Sequence, residues 1–142
     1  MADHRTAPVD VVRGVIDALN AGDLDGALAH ISPDAVNHAA PPGTAPGLAG
    51  WRQTWEGLRA AFPDLRFTIE QSIQSGDAVA NRYTMRGTHA GEFMGTPGTG
   101  HSFEVLTLDI IRVRDGKVVE HWALSDQLAM SAQLRLDQAL PR

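Results

Sequence analysis

Apolar residues recur every three or four positions in the first part of the chain, the spacing of helices with one buried face. The first helix is predicted from Val11, Val12, Val15, Ile16 and Leu19. Thr6 is its expected cap, Pro8 lies in its first turn, and Asn20-Ala21-Gly22 ends it. A second, shorter helix is capped by Asp23 and ends at Ser32-Pro33.

A third helix is predicted over about residues 48–61, where large apolar residues follow one another by a helical turn: Trp51, Trp55, Leu58 and Phe62. The proline-rich segment 41–47 before it can only be a loop. After Pro63 apolar and polar residues alternate, which predicts strands. The first predicted strand contains Leu65, Phe67 and Ile69. Three more strands are predicted over residues 78–88, 102–114 and 117–124. Asp115-Gly116 predicts a two-residue hairpin turn, and residues 127–136 a short terminal helix.

Helices followed by an antiparallel sheet predict an α+β fold. The 142 residues are enough for one core and too few for two, so a single domain over residues 1–142 is expected. A curled sheet with helices across its concave side encloses a blind apolar pocket. Pockets of that kind, with a few polar groups converging on them, are where small molecules bind.

Composition narrows the classes of function. Acidic residues number 17 against 12 basic ones, a net charge of −5, so the chain lacks the basic stripe that nucleic acid or an anionic membrane would require. Cysteine is absent, which excludes disulfides, thiolate zinc sites and thiol catalysis. The start lacks the pattern of a signal peptide and no apolar run approaches a membrane span. A cytoplasmic protein is expected.

Two motifs near the end of the chain resemble the SnoaL-like proteins, which include small polyketide ester cyclases. One is the glycine-rich segment Gly87–Gly100, GTHAGEFMGTPGTG; the other is Asp115–Trp122, DGKVVEHW, with Asp126 four residues beyond. Near the N-terminus, Asn20 with Gly22-Asp23, and Val36-Asn37-His38, match the same group. The resemblance covers about residues 9–135.

The resemblance implies the cone-shaped α+β fold shared with nuclear transport factor 2 and ketosteroid isomerase. The best-known members close a ring by intramolecular aldol condensation without a metal or organic cofactor. It also implies a departure, because the acid/base aspartate of the aldol cyclases aligns with Ala123. A histidine that they carry on the preceding strand aligns with Asp109.

Asp109 and His121 are the catalytic candidates. Alternation puts His121 on the same face as the Ala123 position, and Asp109 inward together with Thr107 and Ile111. Asp109 interrupts an apolar run, where an unpaired carboxylate would be costly, and His121 across the hairpin is its expected partner. Such a pair could exchange protons with a substrate, or it could be a buried salt bridge that stiffens the sheet.

Six residues are candidates for contact with a substrate: His38, Trp55, His89, Phe93, Met94 and Asp126. Each has a structural alternative. The histidines could serve the loops that carry them, and Trp55 could belong to the core rather than stack on a planar ligand. Phe93 and Met94 are expected to line the opening of the pocket, and Asp126 could cap the last helix.

The sequence therefore predicts an acid/base enzyme for a hydrophobic, polyketide-like or polycyclic molecule, with neither cofactor nor metal, since histidines at metal-ligand spacing are missing. A binding module that holds such a ligand without turnover is the alternative, and a purely structural dimerisation domain a third possibility. A homodimer is expected through the open face of the sheet. The residues assigned to that face are Phe103, Val105, Leu106, Leu108, Ile110 and Trp122.

Overall fold

The computed structural model describes residues 6–136. Within this range the helices are α1 (Pro8–Asn20), α2 (Leu24–Leu28), α3 (Gly47–Ala61) and α4 (Gln127–Leu134). The strands are β1 (Ile31–Asn37), β2 (Arg66–Ser75), β3 (Ala78–Thr88), β4 (Ser102–Arg114) and β5 (Lys117–Ser125). A curled, unclosed sheet with helices packed on it confirms the α+β class. None of the helices in the described range is long and apolar enough to cross a membrane.

The helix starts differ in how they are capped. Pro8 opens α1 after Ala7, and no side chain caps it, so the prediction of Thr6 as a cap was wrong. Proline at this position has no N–H that would need a partner, which lowers the need for a cap. Asp23 caps α2 as predicted, since its carboxylate accepts the Gly26 N–H at 2.9 Å.

The segment after α2 is a strand, so the prediction that the second helix continues to Ser32-Pro33 was wrong. The helix ends at Leu28, and β1 runs parallel to β5 at the edge of the sheet. The register shifts between Ile31 and Val36, so the strand lacks regular alternation and resembles a turn in sequence. Pro33 is tolerated there because edge strands and bulges do not need every N–H.

The five strands follow the order β1-β5-β4-β3-β2, and all neighbours except β1 and β5 are antiparallel. Asp115 and Gly116 both have positive φ, 51° and 74°, as a two-residue hairpin of the predicted kind requires. A bulge between Arg112 and Val113 shifts the β4–β5 register by one residue. It therefore decides which residues of β5 lie opposite Asp109.

The two faces of the sheet differ in burial. Every second residue of β4 points to the inner face, which the helices cover; these are Phe103, Val105, Thr107, Asp109, Ile111 and Val113. The outer face carries Leu106, Leu108 and Ile110, each about half exposed. Phe103 and Val105 are buried on the inner face, so their assignment to the open face was wrong. Strict alternation along β4 excludes them from the side that carries Leu106.

Candidate active site

Asp109 and His121 meet on the inner face of the sheet. The imidazole Nε2 lies 3.3 Å from the carboxylate Oδ2. His121 is paired with Ile111 rather than with Asp109, so the two side chains are diagonal neighbours across the β4–β5 ladder. Their side chains are 18% and 7% exposed, respectively, which removes most of the water that would weaken the contact.

Asn37, the last residue of β1, fixes the orientation of His121. Its amide oxygen accepts the Ala39 N–H at 3.0 Å and lies 2.9 Å from Nδ1 of the imidazole. The atom facing Ala39 must be the oxygen, because a backbone N–H can only donate. Nδ1 of His121 therefore carries a proton and donates it to Asn37.

This tautomer determines the proton count of the pair. With Nδ1 protonated, a neutral imidazole presents a lone pair from Nε2 toward Asp109, and a carboxylate would repel it. A hydrogen bond between Nε2 and the carboxyl group therefore requires one more proton, either on the nitrogen or on the carboxyl oxygen. The geometry allows the pair to hold such a proton at a place with little exposure to water.

Asp109 is held from the other side by β3. Asn81, which pairs with Asp109 across the ladder and is 3% exposed, donates its amide N–H to Oδ1 at 2.8 Å. The Ser72 hydroxyl of β2 donates to the Asn81 amide oxygen at 2.7 Å. A carboxylate offers about four lone-pair positions, and these contacts use two of them. Asp109 can therefore still accept a proton, whereas both ring nitrogens of His121 are engaged.

Aromatic rings enclose the pair. Trp51 on α3 is buried, and its ring centroid lies 5.6 Å from that of His121. The Trp55 ring follows at 5.7 Å from Trp51 and is only partly buried. Tyr83 on β3 is 2% exposed, and its hydroxyl has no hydrogen-bond partner among the described residues. Burial raises the pKa of the Tyr83 phenol well above its usual range, and the charge of Asp109 raises it further.

His38 lies on the opposite side of the sheet from this pair. Asn37 points inward, so the next residue points outward. There its imidazole Nε2 contacts the Glu120 carboxylate at 2.8 Å and its ring stacks on Trp122 at 4.8 Å. The sheet thus separates His38 from Asp109.

The glycine-rich segment forms a separate compact loop. His89 is fully buried, and its Nδ1 accepts the Thr99 N–H at 3.3 Å, which ties the two ends of the loop together. Phe93 packs on the buried ring of Phe62 at 5.0 Å. Met94 lies at the tip of a tight turn, with φ of 50°, and is 75% exposed.

Two of these glycines are required by close packing. A Cβ on Gly91 would lie 2.2 Å from the carbonyl oxygen of Ala60, and one on Gly98 would lie 2.3 Å from that of Ala90. The loop also donates two backbone N–H groups, from Ala90 and Gly91, to the carbonyl of Ala61 at the end of α3. This close approach gives the glycine signature a structural cause.

Asp126 caps α4 by accepting the Ala129 N–H at 3.0 Å, which is the structural alternative considered for it. Within residues 6–136, no three His, Asp or Glu side chains are grouped so that they could hold a metal ion.

Three polar residues of the site were not among the predicted site residues: Asn37, which the sequence analysis named only as part of a family motif, Asn81 and Tyr83. A signal existed for Asn81, because it occupies an inward position in the alternation of Val79, Asn81 and Tyr83. None existed for the contact of Asn37 with His121, because it depends on the unexpected strand β1.

A groove of about 420 Å³ on the outer face is lined mainly by apolar residues, including Ile73, Leu108, Ile110 and Leu124.

Comparison with known proteins agrees with this architecture. Residues 9–134 match the family model of SnoaL-like polyketide cyclases. The aklanonic acid methyl ester cyclase DnrD of Streptomyces peucetius is 30% identical over 132 residues, which are 89% of each chain. Among solved structures, IdmH of Streptomyces antibioticus, described as a proposed polyketide cyclase, has a TM-score of 0.81 at 44% identity, over 92% of this chain and 99% of that one. AclR of Streptomyces galilaeus, described as a proposed hydroxylase, has a TM-score of 0.80 at 34% identity, over 94% and 97%.

Proposed function

Because the chain belongs to the SnoaL-like polyketide cyclase family, we propose that it converts a polyketide-like, polycyclic substrate by acid/base chemistry. Asp109 is the base and His121 its protonated partner. The observation that supports this most directly is the contact of 3.3 Å between the His121 Nε2 and the Asp109 carboxylate, which has little exposure to water. An acid/base catalyst needs a group that can both take up and return a proton, and this pair has that capacity.

The chemistry starts with Asp109 as carboxylate and His121 as imidazolium. Asp109 uses one of its free lone pairs to take a proton from a carbon next to a substrate carbonyl, and the C–H electron pair moves into an enolate. The imidazolium, held by Asn37, stabilises the carboxylate before the transfer. The enolate can then attack a second carbonyl to close a ring or be protonated elsewhere, and Asp109 returns its proton to the product. Enolisation of this kind is the shared first step of ring closure, isomerisation and dehydration.

The position of the carboxylate distinguishes this chain from the aldol cyclases that it resembles. The resemblance implies that their acid/base aspartate stands at position 123, which is alanine here. Asp109 is the direct partner of Ala123 across the β4–β5 ladder. Opposed residues on one face have Cβ atoms about 4.5–5.5 Å apart, so a carboxylate on either strand reaches the same region of the inner face. We propose that Asp109 replaces the carboxylate that position 123 lacks. We also propose that this chain, like the aldol cyclases that it resembles, works without a metal or organic cofactor.

The surroundings favour a flat, apolar substrate. The Trp51 ring lies beside His121, and the Trp55 ring packs against that of Trp51. Aromatic rings on one side of a site stack on planar fused rings. Trp55, the less buried of the two tryptophans, is proposed to contact such a substrate first, while Trp51 covers His121.

Turnover and stability measured on the same variants test the proposal. Asp109→Asn and His121→Gln are assayed with aklanonic acid methyl ester, the substrate in the name of DnrD, and their thermal melts are recorded. A rate loss of about 10² to 10⁴, the usual contribution of a positioned acid or base, is expected for both, while Asp109→Asn retains the fold. Full activity in a variant that melts much earlier would contradict the catalytic assignment.

Asp77→Asn is the matched control. Asp77 makes the same type of contact, a carboxylate with Arg112 and Arg114, but it lies in the β2–β3 turn outside the site. This variant is expected to melt slightly lower and to keep its turnover. If wild-type protein binds the ester tightly and converts none of it, and Asp109→Asn binds it equally well, the chain is a binding module instead.

A further inference from the structure

Tyr83 is an inward-facing polar residue of the sheet that the acid/base pair leaves unused. It is two residues from Asn81 on β3, and therefore on the same face as Asp109 and diagonal to it. The ring is 2% exposed and packs edge-on against Phe67 at 6.2 Å between centroids. A phenylalanine would satisfy this packing equally well, so the hydroxyl needs a separate explanation.

The hydroxyl is buried and has no hydrogen-bond partner among the described residues. Buried polar groups in folded proteins nearly always have a partner, and the exceptions are concentrated where a ligand supplies the missing contact. The other buried polar groups around the pair, Asn81 and Thr107, are engaged: Asn81 with Asp109, and Thr107 with the Ser125 hydroxyl at 2.9 Å. Tyr83 therefore differs from its neighbours.

From this geometry we infer that Tyr83 is a further catalytic residue, whose hydroxyl donates a hydrogen bond to the substrate oxygen that becomes negative when Asp109 removes the carbon-bound proton. The inference rests on the proposed function. Asp109 and Tyr83 then act on the same carbonyl group and its neighbouring carbon. The carboxylate takes the proton from carbon, and the phenol O–H stabilises the charge that arrives on oxygen without transferring its own proton.

The electrostatics of the site support a donor at this position. Burial raises the pKa of the Tyr83 phenol, and Asp109 raises it further both by its charge and as the acceptor nearest to the hydroxyl, so the phenol keeps its proton throughout the range in which enzymes work. The group is thus available as a donor. A preorganised donor aimed at the atom where charge develops, in a site with little water, stabilises a transition state far more than it would in solution.

Tyr83→Phe separates this role from a structural one. Because the hydroxyl is buried without a hydrogen bond of good geometry, and only the nearby Asp109 carboxyl could act as its acceptor, the variant is expected to melt close to the wild-type temperature. Its kcat/KM for aklanonic acid methyl ester is expected to fall about 10²- to 10³-fold, as when one donor to an oxyanion is removed. Unchanged kcat/KM, or a loss of activity that follows a lower melting temperature, would overturn the inference.

Phe67→Leu is the control for packing. It reduces the ring contact with Tyr83 and leaves the hydroxyl in place, so it is expected to melt lower and keep its kcat/KM. If Phe67→Leu loses as much activity as Tyr83→Phe, the packing of the ring and not its hydroxyl is responsible.

A binding measurement decides the matter without turnover. The planar tricycle 9,10-anthraquinone presents two carbonyl oxygens that are free of internal hydrogen bonds, and quenching of tryptophan fluorescence reports its binding. Affinity about tenfold weaker in Tyr83→Phe corresponds to one hydrogen bond of about 1.4 kcal/mol; equal affinity in both proteins would overturn the inference. If Asp109→Asn loses turnover and Tyr83→Phe does not, the proposed function survives and the donor role fails. If wild-type protein has no turnover but binds the probe through Tyr83, the proposed function and the catalytic role of Tyr83 both fail, and Tyr83 is a ligand-binding residue.

Discussion

Asp109 and Ala123 are direct partners across the β4–β5 ladder, both on the inner face. The bulge between Arg112 and Val113 creates this relationship, because without the one-residue shift Ala123 would not lie opposite Asp109. The resemblance implies a catalytic carboxylate at position 123, and the proposed function assigns that role to Asp109, one strand away. Moving the carboxylate from position 109 to position 123 therefore tests whether turnover depends on where the charge lies or on which strand carries it.

We predict that Ala123→Asp partly restores turnover in an Asp109→Asn background. The new carboxylate would lie within about 5 Å of the old one and near His121, whose proton it could share. The measurement is kcat for the single and double variants on aklanonic acid methyl ester. In the wild-type background the same Ala123→Asp change puts two carboxylates opposite each other and should destabilise the fold, because like charges directly across a ladder repel. A double variant as inactive as Asp109→Asn alone would contradict the proposed exchange of positions.

Asn37 is expected to act through His121 as a positioning residue. In Asn37→Leu the side chain keeps a similar size, but the oxygen that fixes the imidazole tautomer is lost. We predict that kcat falls by about 10²-fold or less, the lower end of a positioned acid/base contribution, and that the pH–rate profile changes shape.

Nitrogen NMR of His121 provides the readout that a merely structural role would not change. In the wild type, Nδ1 should have the shift of a protonated nitrogen, and in Asn37→Leu, where Asn37 no longer accepts that proton, the Nδ1 shift should move towards that of an unprotonated nitrogen. Val36→Thr, one residue earlier and on the outer face, is the control and should leave both kcat and the spectrum unaltered. The same spectrum in Asn37→Leu as in the wild type would contradict the role of Asn37.

The sequence predicted those parts of the fold that depend on local pattern. β4 was predicted with its observed limits, Ser102–Arg114, because its alternation is regular and ends at the turn Asp115-Gly116. β1 was missed, because a parallel edge strand gains its hydrogen bonds from β5, about 85 residues further along the chain, and has no alternation of its own. The pattern of neighbouring residues does not predict pairing between strands that are far apart in the sequence.

The site was predictable to the same extent. The inward direction of Asp109 and its proximity to His121 follow from alternation on two strands joined by a short turn. The amides that hold the pair come from β1 and β3, and their contacts depend on the whole sheet order. Asn20 illustrates the same limit: the family motif drew attention to it, but its two hydrogen bonds to the N–H and C=O of Phe67, both 2.8 Å, appear only in three dimensions.

Tyr83 should dominate the alkaline stability of the protein. It is the only tyrosine, and Lys117 is the only lysine, so few other side chains titrate near pH 10. Since the folded protein holds the Tyr83 pKa above its usual value near 10, the unfolded chain releases this proton first. The stability that depends on a neutral phenol is complete below about pH 10 and is then lost at up to about 1.4 kcal/mol per pH unit.

Urea denaturation between pH 8 and pH 11 checks this prediction. The wild type should lose stability steeply above pH 10, with tyrosinate absorbance appearing only as the protein unfolds. Tyr83→Phe should remove that slope. Ionisation of Tyr83 in the folded protein at its usual pKa would contradict the effect of burial.

The outer face of the sheet carries the features of an interface between two copies of the chain. Five apolar side chains on β2, β4 and β5 are about half exposed or more: Ile73, Leu106, Leu108, Ile110 and Leu124. Soluble monomers seldom expose a continuous apolar patch of this extent. The outer face curves into the groove of about 420 Å³, which a facing copy could fill with its own side chains.

We therefore predict a homodimer that is broken by Leu108→Glu. Leu108 lies on the central strand of the sheet, and a twofold interface would bring two such carboxylates into an apolar contact without partners, a large cost. Sedimentation at micromolar concentration should give about twice 15.2 kDa for the wild type and one copy for the variant. Leu128→Glu is the control: Leu128 on α4 is 85% exposed and does not line the groove, so its variant should remain a dimer. A wild type that sediments as one copy, or a Leu108→Glu variant that remains paired, would show that the dimer does not form through this face.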